Sequence, residues 1–144
     1  MWFIFAISAS VMWGLTYVID EKIYEKISVS TSLAIASLCA FVVTLAMSYF
    51  TGSLKLDLHE LATSRNTLGL VMAGTTTLVI AEIFIGLSIT AKNATLAGLI
   101  EISYPLFIAL FAYILFRNNQ LTISTIVGGI LIFSGVIVIY LFNR

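Results

Sequence analysis

Five apolar runs of about 20 residues each, joined by short polar connections, leave this chain few folds to adopt. They cover residues 2–19, 29–51, 67–89, 95–116 and 123–142. A helix of about 20 residues crosses a bilayer core, and in hydrocarbon every backbone N–H and C=O must be bonded within its own segment. The runs are therefore predicted to be membrane-spanning helices, and the fold class is all-α, integral membrane. Composition agrees. Of 144 residues, 60% are hydrophobic and 10% charged, against about 25% charged in a soluble domain. Formal net charge is zero, so no nucleic-acid footprint exists. The first run, MWFIFAISASVMWGLTYVID, lacks the basic start of a signal peptide and reads as a mature span. Residues 1–144 are expected to form one transmembrane domain, with consecutive helices as antiparallel neighbours.

The punctuation between runs fits this division. The first run stops at the charged cluster Asp20-Glu21-Lys22, and the second opens on Ser28-Val29-Ser30-Thr31-Ser32, which offers several N-cap hydroxyls. The longest connection, GSLKLDLHELATSRN from Gly52 to Asn66, places leucines at 54, 56, 58 and 61 among charges. It is predicted to lie on the membrane surface as a short amphipathic turn. His59, the single histidine, falls there and reads as a solvated loop residue. Cys39 is the single cysteine and reads as a small packing residue. No disulfide can form within the chain.

Two acids lie inside the apolar runs: Glu82 in TLGLVMAGTTTLVIAEIFIGLSI and Glu101 in LAGLIEISYPLFIALFAYILF. A carboxylate at the centre of a span costs roughly 2.5–3.5 kcal/mol on insertion scales, so it persists where it faces a cavity, a partner or a passing ion. The alternative is a protonated packing acid that fixes helix register through Thr, Ser or Tyr groups such as Tyr104. On the third span, Thr75, Leu78, Glu82 and Gly86 share one face. On the fourth, Ala94, Ala97/Gly98, Glu101, Tyr104/Pro105 and Ile108 do. Pro105 removes the donor that would bond the Glu101 carbonyl, so a helix kink is expected beside the carboxyl. On the first span, Ser10, Trp13/Gly14 and Tyr17 form a polar and aromatic stripe. Trp13 lies well inside its span, away from the interfaces where aromatic belts sit. An aromatic wall opposite acids accommodates amphipathic cations through cation–π contact. Each aromatic is equally explained by packing, and Trp2 by interfacial anchoring.

The positive charges barely choose an orientation. Lys55, Arg65 and Arg117 fall on one side of the membrane; Lys22, Lys26, Lys92 and Arg144 fall on the other. The one-charge difference is compatible with dual topology, in which one sequence inserts both ways. It is equally compatible with masking of Lys22 and Lys26 by Asp20, Glu21 and Glu25, or with orientation set by a partner. With a single orientation, the C-terminus is expected in the cytoplasm. Five spans are an odd number, so two copies in opposite orientations generate the inverted repeat common among secondary transporters.

The second half has an ordered set of motifs. Lys92-Asn93-Ala94-Thr95-Leu96-Ala97 precedes the span carrying Pro105; the polar turn Asn118-Asn119-Gln120-Leu121-Thr122 follows; then comes Gly128-Gly129-Ile130-Leu131-Ile132-Phe133-Ser134-Gly135-Val136. With Trp13-Gly14-Leu15-Thr16-Tyr17-Val18 in the first span, this order resembles the five-helix EamA-type repeat of the drug/metabolite transporter superfamily, over nearly the whole chain. Such repeats usually carry a glutamate in the turn before the last helix, where this chain has Asn119. Typical members hold two repeats per chain, so the resemblance implies a homodimer or a heterodimer with a similar chain. The four-helix relatives of the small multidrug resistance family work as antiparallel dimers. Their dimerising helix resembles Gly128, Leu131, Ile132, Gly135 and Val136 of the last span. Gly128 and Gly135, nearly two turns apart, share a face with Ser124, and small residues let backbones approach closely in lipid. The same face also suits packing within the chain.

The resemblance implies a secondary-active exporter of a small metabolite or amphipathic cationic solute, in a prokaryotic inner or plasma membrane. Glu101 is the first choice for proton–substrate exchange and Glu82 the second, with Trp13, Tyr17 and Tyr104 as wall residues. Proton-coupled antiport is the expected mechanism. Two other readings remain: a lipid-linked substrate carrier or flippase subunit, and a non-transporting membrane assembly subunit. Enzymatic chemistry is not expected, because no nucleophile–base set and no metal-ligand spacing is present. No cofactor, metal or nucleic-acid partner is expected; protons, a small-molecule substrate and the lipid bilayer are.

Overall fold

The computed structural model describes residues 1–118 and 122–143. Asn119, with Gln120 and Leu121 of the same turn, and Arg144 of the charge count lie outside the described residues. Among the described residues seven helices follow one another: α1 Trp2–Tyr24, α2 Val29–Thr51, α3 Leu54–Thr63, α4 Arg65–Ala91, α5 Ala94–Glu101, α6 Tyr104–Phe116 and α7 Ile123–Phe142. No strand occurs among the described residues. Among the described residues five stretches are long and apolar enough to cross a membrane: α1, α2, α4, α5 with α6, and α7. The all-α, five-span architecture is the expected one.

Local chemistry sets the helix ends. Ser28 has extended backbone and accepts a hydrogen bond from the Thr31 N–H at 3.3 Å, opening α2. Thr122 does the same for Thr125 at 3.2 Å, opening α7. Gly52 closes α2 at φ 76°, a left-handed conformation that costs a residue with a Cβ. α1 runs five residues beyond its apolar run, which ends at Ile19. Charges end hydropathy but not helix: Asp20, Glu21 and Lys22 continue it to Tyr24, and Lys22 pairs with Glu25 just beyond at 2.6 Å. The long connection forms a ten-residue helix, α3, rather than a turn. It is tied to its neighbours by hydroxyls, Ser48 to Ser53 at 3.0 Å and Thr67 donating to Glu60 at 3.0 Å. His59 is exposed on it.

The chain divides into two compact units, Met1–Glu21 with Ser88–Arg144, and Lys22–Leu87. In the first, α5 packs on α7, and the buried apolar residues are Ile89, Ala94, Ala97 and Ala109. Most of these are alanines, and Gly129 is buried beside them. Small residues let helices approach where lipid tails give no hydrophobic drive between them. Gly129 is the point of closest approach: a Cβ there would lie 2.3 Å from Leu106 Cδ2. In the second unit, α2 packs on α3, and Gly86 of α4 is seated against Val29 and Tyr24. Large side chains face outward, with Phe50 84% and Phe116 63% exposed. Apolar exposure on that scale fits hydrocarbon as the solvent. Cys39 is exposed on α2, so its expected packing role is not seen.

Candidate functional site

The fourth span is broken near its middle. α5 ends at Glu101, and Ile102 and Ser103 stay right-handed but tighten the ladder, with the Ser103 N–H bonded to Ile100 O at 3.2 Å. α6 then starts with Pro105 in its first turn. The reason is steric and chemical. The proline ring crowds the carbonyl four residues earlier, that of Glu101, and proline has no N–H to bond it. Proline is tolerated at the start of a helix, where that N–H has no intrahelical partner in any case. The expected kink is therefore a break between two half-helices, with Glu101 at the end of the first.

α5 presents one face to the interior of its unit. Ala94 and Ala97 are buried, and Gly98 and Glu101 are half-buried on the same face. Tyr17 of α1 lies against this face. Its ring carbons come within 3.3 Å of where a Gly98 Cβ would sit, so only glycine leaves the ring its present place. The Tyr17 hydroxyl donates a hydrogen bond to Glu101 Oε2. Trp13, one turn earlier, has its ring 5.8 Å from that of Tyr17 at a 60° tilt. Trp13, Tyr17 and Glu101 thus form one group: an indole, a phenol and a carboxyl, bonded across two spans at a helix break. The acid's phenolic partner is Tyr17, 84 residues away in sequence, and not Tyr104. Tyr104 begins α6 and is exposed. Ser10 of the same stripe turns its hydroxyl back to the Ala6 carbonyl at 3.1 Å.

The outer end of α5 is held too. Asn93 caps it, accepting from the Leu96 N–H at 2.8 Å, and the Ala94 N–H donates to Glu21 Oε2 at 2.6 Å. Sequence alone placed Glu21 in a charge cluster and missed this contact; the i, i+4 spacing of Tyr17 and Glu21 was the available signal. Lys92 donates to the Asn143 carbonyl at 3.2 Å, tying the end of α4 to that of α7.

Glu82 belongs to the other unit. It is half-buried on α4, one turn before the buried Gly86. On α7, the stripe Gly129, Ile132, Val136 and Ile139 is the less exposed one. Leu131 and Gly135 are exposed, and a Cβ at Gly128 or Gly135 would meet nothing within 4 Å. Of the predicted contact face, Ile132 therefore lies on the less exposed stripe, whereas Leu131 and Gly135 look outward. An apolar cavity of about 550 Å³ runs between α6 and α7, lined by Pro105, Leu106, Ala109 and Gly129 among others. Among the described residues, no group of three or more His, Cys, Asp or Glu side chains is placed to hold a metal ion.

The model of the EamA-like transporter family matches residues 1–141. No curated protein and no solved structure matches the chain. The family match covers all five spans, and the acid-bearing, proline-broken fourth span lies inside it. The chain belongs to the EamA-like transporter family, and as such is an integral membrane transporter of small solutes.

Proposed function

We propose that the chain is a secondary-active transporter of a small metabolite or amphipathic cationic solute, with Glu101 exchanging a proton for the substrate. The observation that carries this reading is the hydrogen bond between Tyr17 and Glu101 at the break in the fourth span. A carboxyl at membrane depth is costly, and here its partner is a neutral phenol, not a fixed cation. A phenol can be displaced by a substrate cation or can share the site with a proton. The same carboxyl cannot serve a cationic substrate and a bound proton at once, so the two ligands exclude each other. That exclusion is what antiport needs. Trp13 and Tyr17 supply an aromatic wall beside it for an amphipathic cation. Tyr104 is a secondary member of the site in this reading, and Glu82, in the other unit, is the alternative exchanging acid.

The transporter works as a dimer, of two such chains or with a similar chain. The outward position of Leu131 and Gly135, with open space at Gly128, supports α7 as the contact. The near-balance of positive charges supports opposite orientations of the two copies.

Reconstitution into liposomes with an imposed pH gradient tests the reading, with tetraphenylphosphonium as the probe cation. Wild-type vesicles are expected to move the probe against the proton flow. Glu101→Gln is expected to abolish gradient-driven movement while the chain still folds and inserts. Wild-type rates in Glu101→Gln would refute the proposal and point to a different acid, Glu82 first.

A further inference from the structure

We propose that Glu21 is a positioning residue for Glu101: by holding the outer end of α5 it keeps the inner end bonded to Tyr17. The inference rests on the reading of Glu101 as the exchanging acid, but it concerns a residue outside the membrane-depth site.

The geometry is that of a clamp. Tyr17 and Glu21 are four residues apart on α1, one turn, and so share a face. They reach opposite ends of α5. Glu21 accepts from the N–H of Ala94, the first residue of α5; Tyr17 donates to the carboxyl of Glu101, its last. Between them the Tyr17 ring rests on Gly98. α1 and α5 therefore run antiparallel here, with contacts at both ends and in the middle.

Glu21 is placed for this and not for surface pairing. It stands in the cluster Asp20-Glu21-Lys22, yet the ion pair of that cluster joins Lys22 to Glu25, and both are well exposed. Glu21 itself is half-buried, and its bond reaches 73 residues along the chain. A carboxylate at a helix start satisfies an N–H that has no intrahelical partner and lies at the positive end of the helix dipole.

α5 needs such an anchor. It has eight residues, about two turns, with the pair Lys92-Asn93 before it and the Ile102-Ser103 turn after it. A helix that short has little stability of its own and takes its position from its contacts. Asn93 caps the helix but belongs to the same connection, so it fixes no position relative to α1. Glu21 does. With Glu21 gone, α5 keeps the Gly98 contact and the Tyr17–Glu101 bond to α1, and its packing on α7. That bond is the one the substrate must displace. Glu21 thus sets how readily Glu101 leaves Tyr17.

Dicyclohexylcarbodiimide, which reacts with carboxyl groups in apolar surroundings, reads the exposure of Glu101 without any transport step. The full chain in liposomes is labelled, digested and analysed by mass spectrometry, with Glu82 in the other unit as internal reference. Glu21→Ala is expected to raise the labelling rate of Glu101 relative to Glu82 by about ten-fold, which corresponds to about 1.4 kcal/mol. Tyr17→Phe is expected to raise it similarly, and the double variant little further, because both act on one bond. Glu21→Gln keeps an acceptor oxygen for the Ala94 N–H and is expected to stay within about two-fold of wild type. Should Glu21→Ala fail to fold, Glu21→Asp, one methylene too short to reach, carries the same expectation. An unchanged Glu101 rate, an equal rise at Glu82, or additive effects in the double variant overturns the proposal. Transport by Glu101→Gln bears on the exchange reading instead, so the two can fail separately.

Discussion

Replacing Tyr17 by phenylalanine removes one oxygen from the site and leaves its shape. The ring stays on Gly98 and beside Trp13, so packing on α1 and α5 is kept. What is lost is the hydrogen bond to the Glu101 carboxyl. At a pH where the empty site is ionised the bond is to a charged group, and such bonds contribute about 1.5–3 kcal/mol. Both residues are half-buried, which favours the lower end of that range. In the substrate-free chain the phenol occupies a carboxyl oxygen that a cation must take over, so its removal strengthens cation binding. A gain of about 1.5 kcal/mol is a little over ten-fold in Kd. Isothermal titration of detergent-solubilised protein with tetraphenylphosphonium reads it directly. Tyr17→Phe is expected to bind the probe about ten-fold more tightly and to turn over more slowly, because the phenol no longer competes the substrate off. Thermal stability falls slightly at the same time, since a bond within the folded chain is gone. Unchanged binding, or weaker binding, refutes the reasoning: the phenol would then be a bystander or would itself hold the substrate.

Three further substitutions test packing elsewhere in the chain. Gly86→Ala puts a methyl 2.5 Å from Val29 Cγ1, a β-branched side chain with little freedom on α2, and is expected to lower stability in detergent by about 1–3 kcal/mol; a neutral result contradicts the close approach. Gly52→Ala places a Cβ at φ 76° with open space around it, so its cost is conformational, about 1–2 kcal/mol, and is read as a lower melting temperature. Gly135→Leu meets no atom within 4 Å of its Cβ and is expected to leave monomer folding intact while weakening dimers measured by crosslinking in the membrane; undiminished crosslinking removes this face from the interface.

The sequence was most legible where hydropathy and chemistry end together. α2 and α7 begin and end where the apolar runs do, because hydroxyl caps stand at their starts. α1 outruns its apolar stretch because Glu21 and Lys22 are good helix formers and hydropathy cannot see that. α3 was expected only as a short amphipathic turn, although Leu54, Leu58 and Leu61 fall at i, i+4 and i+7, the helical period. The break at Glu101 was foreshadowed by Pro105, since the steric rule is local. Partners were not legible. The i, i+4 spacing puts Tyr17 and Glu21 on one face but does not name a residue 84 or 73 positions away, and Tyr104, one turn from Glu101, was the nearer guess. Neighbouring glycines defeat periodicity in another way. Gly128 and Gly129 differ by about 100° around the helix, and only packing shows that Gly129 takes the close contact with Leu106.

The central claim is that proton and substrate exclude each other at Glu101. Adding tetraphenylphosphonium to weakly buffered, solubilised protein and recording pH tests it without vesicles or a gradient. The account predicts proton release on binding by the wild type, at a pH where the site is protonated when empty, and none from Glu101→Gln. Binding without proton release in the wild type, or equal release from Glu101→Gln, contradicts it.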